Sequence, residues 1–281
     1  TSKKIGAFKL IEQVSANMEK SFAPFVEPLM PIVKEHMTFE FSKEIKKSAL
    51  KTFTNILVAV GEPSNIELFQ SVLPMYIQQI QTNLEKERYK AVKIYIKELG
   101  NALKALNKHN TQSRQFLSME QIQQLGPLMK GALNLVTLLR NETKQSIEAA
   151  KKGFDMDEED LEVIKEELAK VSRTSSYVME LSGQLVDIFK AAVEPVIKEN
   201  CLNFFALALN SYKELTEDEL LDCMCFFCDF IEHASHADAN VMVDLSSKFM
   251  EIAAANEESD DVLQTVIYGL GVFGFYLSQE Q

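Results

Sequence analysis

Residues Lys46–Leu57 read KKSALKTFTNIL. Leu50, Phe53 and Leu57 fall at helical spacing, with Ala49 and Ile56 beside them and Lys47 and Lys51 on the other side. That pattern is one apolar stripe on an amphipathic α-helix. A polar opening running into an apolar stripe recurs in KKIGAFKLIEQV from Lys3 and YKAVKIYIKELG from Tyr89. Aligning Lys4, Lys47 and Lys90 places the three at intervals of 43 and 43 residues. LLDCMCFFCDFIEH from Leu220 and DVLQTVIYGLGVFG from Asp261 repeat the pattern, and Cys223 aligned with Thr265 gives an interval of 42.

A second kind of helix alternates with the first. It carries a proline among apolar residues: VEPLM around Pro28, VLPMY around Pro74, LGPLM around Pro127 and VEPVI around Pro195. Proline lacks an N–H, so it is tolerated in a first turn and kinks a helix further in. Strand-like alternation is almost absent, and ten glycines and seven prolines are few breakers for 281 residues. Two helices alternating at about 40 to 47 residues predict an all-α fold, a HEAT-repeat α-solenoid in which antiparallel pairs stack into a curved superhelix.

With the proline helix first in each pair, an unpaired helix covers residues 2–17. Pairs follow at 20–60, 64–107, 118–190, 193–234 and 237–279, a single array of about five and a half repeats over 1–281. The pair at 118–190 is overlong, which predicts two extended helices turning near Gly153. Between Asp155 and Leu168 stand eight acidic residues and one lysine. Lys144, Lys151 and Lys152 at one helix end and Asp157, Glu158, Glu159 and Asp160 at the next start both suit the helix dipole. The acidic arm is either a solvated, well-capped helix start or a contact for a basic partner. Neither end of the chain carries a polar capping repeat, so the chain is expected to be a piece of a longer protein.

With 29 basic against 41 acidic residues the net charge is −12. That disfavours a direct nucleic-acid partner, which needs a basic surface, and suits a basic protein. No uninterrupted apolar run approaches the roughly 20 residues of a membrane helix, so no membrane insertion is expected. The four cysteines, Cys201, Cys223, Cys225 and Cys228, lie in apolar sequence and suit buried thiols in a reducing compartment. The sequon at Asn141–Thr143 is expected to be chance.

Two stretches imitate chemical sites. Gly269–Gly274, GLGVFG, fits the G-x-G-x-x-G phosphate turn, which needs a strand before it and an acidic residue about 20 positions after it. Here a helical DDVLQTVIY precedes it, capped by Ser259 or Asp260, so the glycines are expected to let helices approach. CMCFFCDFIEHASH from Cys223 to His236 offers sulfur and imidazole. On a helix Cys223 and Cys225 point about 200° apart and Cys225 and His236 lie about 16 Å apart, which is poor for zinc. Packing of the thiols with Phe226, Phe227 and Phe230 is the expectation. With no nucleophile elbow, P-loop, metalloprotease or EF-hand motif, no enzyme activity and no cofactor or metal is expected.

The last pair resembles the importin-beta superfamily of karyopherins, and within it the importin-5-like branch, which includes the yeast receptor for ribosomal proteins. DFIEHAS at Asp229–Ser235, VIYGLGVFG at Val266–Gly274 and YVMELSGQLVDIFKAAVEPV at Tyr177–Val196 behind an acidic tract carry the resemblance. It implies a nuclear import receptor fragment from the later half, shuttling between cytoplasm and nucleus. Basic import-signal cargo, such as ribosomal proteins or histones, would lie on the concave face, and Phe-Gly nucleoporins in grooves on the outer face. The small GTPase Ran would bind mainly repeats outside this chain. Candidate cargo-facing acids on second helices are Glu180, Asp187, Asp229 and Glu232. The chain departs from the pattern at Leu263 and Lys46, where an Arg is often found, and in having no Trp. The alternatives are another HEAT-repeat scaffold, such as a phosphatase scaffold subunit, or an enzyme with a site between repeats.

Overall fold

The computed structural model describes residues 2–110, 116–153, 158–234 and 239–279. Among the described residues there is no strand. The helices alternate as the repeats require, and the fold is a HEAT-repeat solenoid. The chain divides into two compact units, residues 1–121 and 122–281.

The first unit holds α1 (Ser2–Met18), α2 (Val26–Met37), α3 (Lys43–Val60), α4 (Ser64–Glu85) and α5 (Tyr89–His109). Helix α3 is its centre and packs on each of the other four. Ser42 starts it by accepting a bond from the Ile45 N–H at 3.3 Å, and Gly61, with φ of 67°, ends it in a conformation that favours glycine. Its stripe is fully buried at Ala49, Leu50, Phe53 and Ile56. Tyr76 of α4 packs tilted on Phe53 and edge-on with Tyr95, and the Tyr95 hydroxyl donates to the Met37 carbonyl at 2.9 Å. Asn65 and Asn110 exchange amide hydrogen bonds of 2.7 and 3.3 Å, tying the start of α4 to the end of α5.

The second unit begins within α6 (Met119–Gly153), followed by α7 (Glu158–Phe189). Next comes a composite helix: α8 (Glu194–Ile197), a π-turn at Lys198–Leu202, and α9 (Asn203–Asn210). Helices α10 (Glu217–His233), α11 (Ala239–Ala255) and α12 (Asp260–Gln279) complete it. Helix α6 opens on a reciprocal cap, Gln121 N–H to Ser118 Oγ and Ser118 N–H to Gln121 Oε1. Thr216 and Glu219 repeat the device at α10. Glu219 is buried and also takes an ion pair from Arg140 of α6, whose guanidinium bonds Ser172 of α7 at 2.6 Å. One buried carboxylate thus fixes the start of α10 against both long helices.

The proline helices pack closely where side chains are small. A Cβ on Gly126 would stand 2.7 Å from Val196 and from Asn200, so glycine beside Pro127 lets α6 approach the composite helix. Around α10 the core is aromatic, with Phe226 4.5 Å from Phe205 and 5.6 Å from Phe230. Cys201, Cys223 and Cys228 are buried there, as their apolar context suggests, but Cys225 is exposed, because two residues on from Cys223 it falls on the opposite side of the helix.

The GLGVFG glycines lie inside α12, which Ser259 caps by accepting from the Val262 N–H at 3.3 Å. Only Gly269 mediates close approach: a Cβ there would lie 2.5 Å from Phe249 and 3.0 Å from Cys228. Gly271 and Gly274 meet nothing within 4 Å. By length and composition Asp260–Ser278 could cross a membrane. Within the unit, its Val262, Val266 and Phe273 are buried and it packs on α10 and α11, while Ile267 is 71% and Phe275 57% exposed.

The glycines separate in a mutational test. Gly269→Ala is expected to lower stability by about 1–3 kcal/mol through overpacking against Phe249. Gly271→Ala and Gly274→Ala are expected to be neutral or stabilising by roughly 0.5–1 kcal/mol through helix propensity. Urea unfolding of the three variants measures this, and equal losses at all three would refute the packing account.

Candidate functional site

Helices α7, α10 and α12 are the second members of three successive pairs, and α10 packs on both of the others. Glu180 and Asp187 stand seven residues apart on α7, so they share a face, as do Asp222 and Asp229 on α10. Ser176 bonds Asp222, and Glu180 lies close enough to raise its pKa. Seven residues on, Asp187 faces Asp229 and His233, with its Oδ1 3.9 Å from the His233 Nε2. The two helices therefore run parallel, and their carboxylates line up in rungs. Gly183 allows this, because a Cβ there would sit 3.4 Å from Asp229 Oδ2 and a longer side chain would cover that carboxylate.

Half-burial sets the electrostatics. Burial pushes Asp229 up to about 6, aided by Glu232 and Asp187 and opposed by His233 and Lys190. Asp222 is likewise pushed up to about 6 by burial, with Glu180, Asp218 and Glu219 adding to it and Ser176 resisting. Asp187 is paired with Lys190 at 2.9 Å on its own helix. Glu232 accepts from the Tyr268 hydroxyl at 2.5 Å, and its carbonyl accepts from Tyr276 at 2.8 Å, so Glu232 also fastens α12 to α10.

The four acids read from the sequence on second helices are thus brought together. Glu180 is exposed, and Asp187, Asp229 and Glu232 are half-buried. Asp222 belongs to the same row and was missed; its spacing of seven from Asp229 was the available signal. Of the arm residues Asp157, Glu158, Glu159 and Asp160, only Glu159 has a described side chain, and it is not part of this site. Glu159 is exposed in the first turn of α7, about 30 Å along the helix from Glu180 at 1.5 Å per residue. Asp157 lies outside the described residues, as do the side chains of Glu158 and Asp160.

First helices frame a different surface. Between the composite helix, α10 and α11 lies a groove of about 340 Å³ with Leu202, Leu209, Phe227, Phe230 and Leu245 along it and Lys198, Asp244 and Lys248 at its rim. Among the described residues no three His, Cys, Asp or Glu side chains converge as metal ligands. Burial raises the Cys201 and Cys228 thiols to about 12, with a serine contact opposing it at Cys201, which leaves both as protonated packing groups at neutral pH.

No family model and no curated protein matches the sequence. Solved structures do. A mutant of the karyopherin Kap121p superposes with a TM-score of 0.68 at 13% identity, covering 99% of this chain and 24% of that one. Kap121p bound to the SUMO protease Ulp1p gives 0.66 at 13% identity over 97% and 23%. Kap121p bound to Nup53p gives 0.65 at 13% identity over 98% and 23%. The chain has the fold of a karyopherin solenoid. It spans about a quarter of the length of the karyopherin chains it matches. In this fold, the acid row lies on second helices and the apolar groove between first helices.

The raised pKa values give stability a definite pH dependence. In the unfolded chain these aspartates titrate near 3.8, in the folded chain near 6, so the native state holds the protons more tightly. Their unfavourable contribution is full above pH 6 and disappears as pH falls toward 4. Lowering pH from 7.5 to 5.5 is therefore expected to stabilise this region, and Asp222→Asn/Asp229→Asn to raise the melting temperature at pH 7.5 and flatten that dependence. Thermal unfolding across the range checks it; a double variant with the parent's slope would contradict the assignment.

Proposed function

We propose that this chain is part of a nuclear transport receptor of the importin-5-like branch that works by binding and release, with residues 1–281 as one repeat array. The observation that carries the reading is the carboxylate row of Glu180, Asp187, Asp222, Asp229 and Glu232 on adjoining second helices of a karyopherin solenoid. The solved structures of Kap121p include complexes with Ulp1p and with Nup53p, and the reading carries cargo and nucleoporin partners over to this chain. Cargo would be Lys/Arg-rich proteins, such as ribosomal proteins or histones. Ran would act mainly through repeats outside the chain, and the protein would shuttle between cytoplasm and nucleus.

The physical chemistry suits reversible capture. Exposed ion pairs contribute roughly 0–1 kcal/mol each, so a cargo segment must engage several rungs. Asp222 and Asp229 contribute more per contact, because half-burial has already removed part of their hydration and a ligand cation restores the lost stabilisation. A row of like charges also draws basic segments in at long range and orients them on encounter.

Anisotropy of a labelled Lys/Arg-rich import-signal peptide, against a scrambled peptide of equal charge, tests this. Saturable binding that prefers the real signal is expected, weakened about tenfold or more by Asp187→Lys/Asp229→Lys, since each lost charged contact is worth roughly 1 kcal/mol and each reversal adds repulsion. Affinity is expected to fall as pH drops from 7.5 to 5.5, as the two aspartates take up protons. Equal binding of both peptides would reduce the row to nonspecific attraction and sink the proposal.

In the same reading the groove beside Phe227 and Leu245 takes a phenylalanine of a Phe-Gly repeat. Its volume of about 340 Å³ and its apolar lining suit an aromatic ring, and burying one contributes about 1.5–3 kcal/mol. A Phe-Gly peptide is expected to bind weakly and to lose binding in Val241→Glu/Leu202→Glu, two residues that line the groove, while a Ser-Gly peptide should not bind at all. Calorimetric titration that finds the variant and parent alike would remove the groove from the reading.

A further inference from the structure

The two units differ sharply in charge: residues 1–121 carry 17 basic and 12 acidic residues, residues 122–281 carry 12 and 29. Several of the first unit's lysines lie on the neighbouring helices α3 and α5. Helices α1, α3 and α5 pack side by side, α3 between the other two. On α3, Lys47 and Lys51 are four residues apart; on α5, Lys97, Lys104 and Lys108 follow at intervals of seven and four. Both spacings keep the side chains on one helical face. Between the helices runs a groove of about 570 Å³ lined by Lys51, Asn55, Glu98, Asn101, Lys104 and Lys108, with Glu12 of α1 on its far side.

Two features show that the groove is not satisfied within the chain. Three lysines, Lys51, Lys104 and Lys108, line the groove beside two carboxylates, and Glu12 is already engaged by Lys51 at 3.0 Å. The other carboxylate, Glu98, is 1% exposed; its Oε2 accepts from Asn101 at 3.1 Å, but its buried Oε1 has no hydrogen-bond partner. A buried acceptor left unmatched is unfavourable unless a donor arrives. Lys47, Lys51 and Lys97 already place positive charge near Glu98, although burial still raises its pKa. A peptide N–H meets the need, since it donates without adding positive charge.

We propose that the groove between α1, α3 and α5 binds an extended acidic peptide segment of a partner protein. Its carboxylates pair with Lys104, Lys108 and the flanking lysines, and a main-chain N–H reaches Glu98 Oε1. Asn55 and Asn101 hold the floor in place, Asn55 by bonds to the Glu12 carbonyl at 3.1 Å and Ser15 Oγ at 3.0 Å. A nucleic acid fits less well, because the groove places carboxylates on its floor and has no Phe, Tyr or Trp in its lining for a base to stack on. This surface lies wholly in the first unit and does not rest on the cargo reading, which concerns the second.

The test is fluorescence anisotropy with the full 281-residue chain at physiological salt, using a labelled twelve-residue Asp/Glu-rich peptide and, separately, a labelled oligothymidylate. Saturable peptide binding is expected, weakened at least tenfold by Lys51→Glu/Lys104→Glu/Lys108→Glu. The control Lys20→Glu/Lys34→Glu/Lys86→Glu changes charge equally away from the groove and is expected to weaken binding less than threefold; circular dichroism confirms that both variants fold. Equal losses in the two variants would overturn the proposal in favour of diffuse attraction. So would tighter binding of the oligonucleotide, or no binding of the peptide. A dimer of the parent chain that the groove variant abolishes would overturn it in favour of a second copy.

Discussion

A helix with an apolar stripe cannot bury that stripe alone, and everything else in the structure follows from this constraint. In the first unit α3 resolves it by packing on α1, α2, α4 and α5 at once, so that Leu50, Phe53 and Ile56 are sealed from water. In the second, α10 does the same between α7, the composite helix and α12. Stacking consumes the apolar faces and leaves each second helix one polar face. Those faces lie side by side because their stripes do, which turns isolated charged residues into continuous surfaces.

The two surfaces so formed differ in sign and in how they hold their charge. On α7 and α10 the carboxylates are pressed together and half-buried, so the fold tolerates electrostatic cost that a cationic partner would relieve. On α3 and α5 the lysines stand over a single buried carboxylate with an unmatched oxygen. Burial is managed differently where no partner is implied. Glu219 is sealed in the core but receives Arg140, the Thr216 N–H and the Thr216 hydroxyl, so its demand is met inside the chain. Glu219 has partners on both oxygens, whereas Glu98 keeps one buried oxygen without a hydrogen-bond partner.

Small residues decide how closely the helices approach. Gly126, Gly183 and Gly269 each stand where a side chain would collide or obstruct: against Val196, over Asp229, and into Phe249. Their neighbours Gly271 and Gly274 have no such role. A motif that spells a phosphate loop is therefore one packing contact and two unconstrained positions, and the letters alone could not say which was which.

Much was legible in the sequence for a simple reason: helical periodicity and the 43-residue interval are local or nearly local properties. The stripe of KKSALKTFTNIL, the cap at Ser259 or Asp260, the pairing of proline helices with charged ones, and hence the all-helical solenoid, could be read directly. So could the shared face of Glu180 and Asp187 on one helix. Contacts between helices depend on side-chain packing across long separations, which no periodicity encodes. Only the tertiary structure decided that Asp222 and Asp229 of α10 stand beside Glu180 and Asp187 of α7, which of the opposed Cys223 and Cys225 is buried, and that Lys51 and Lys104 border one groove above an unmatched Glu98.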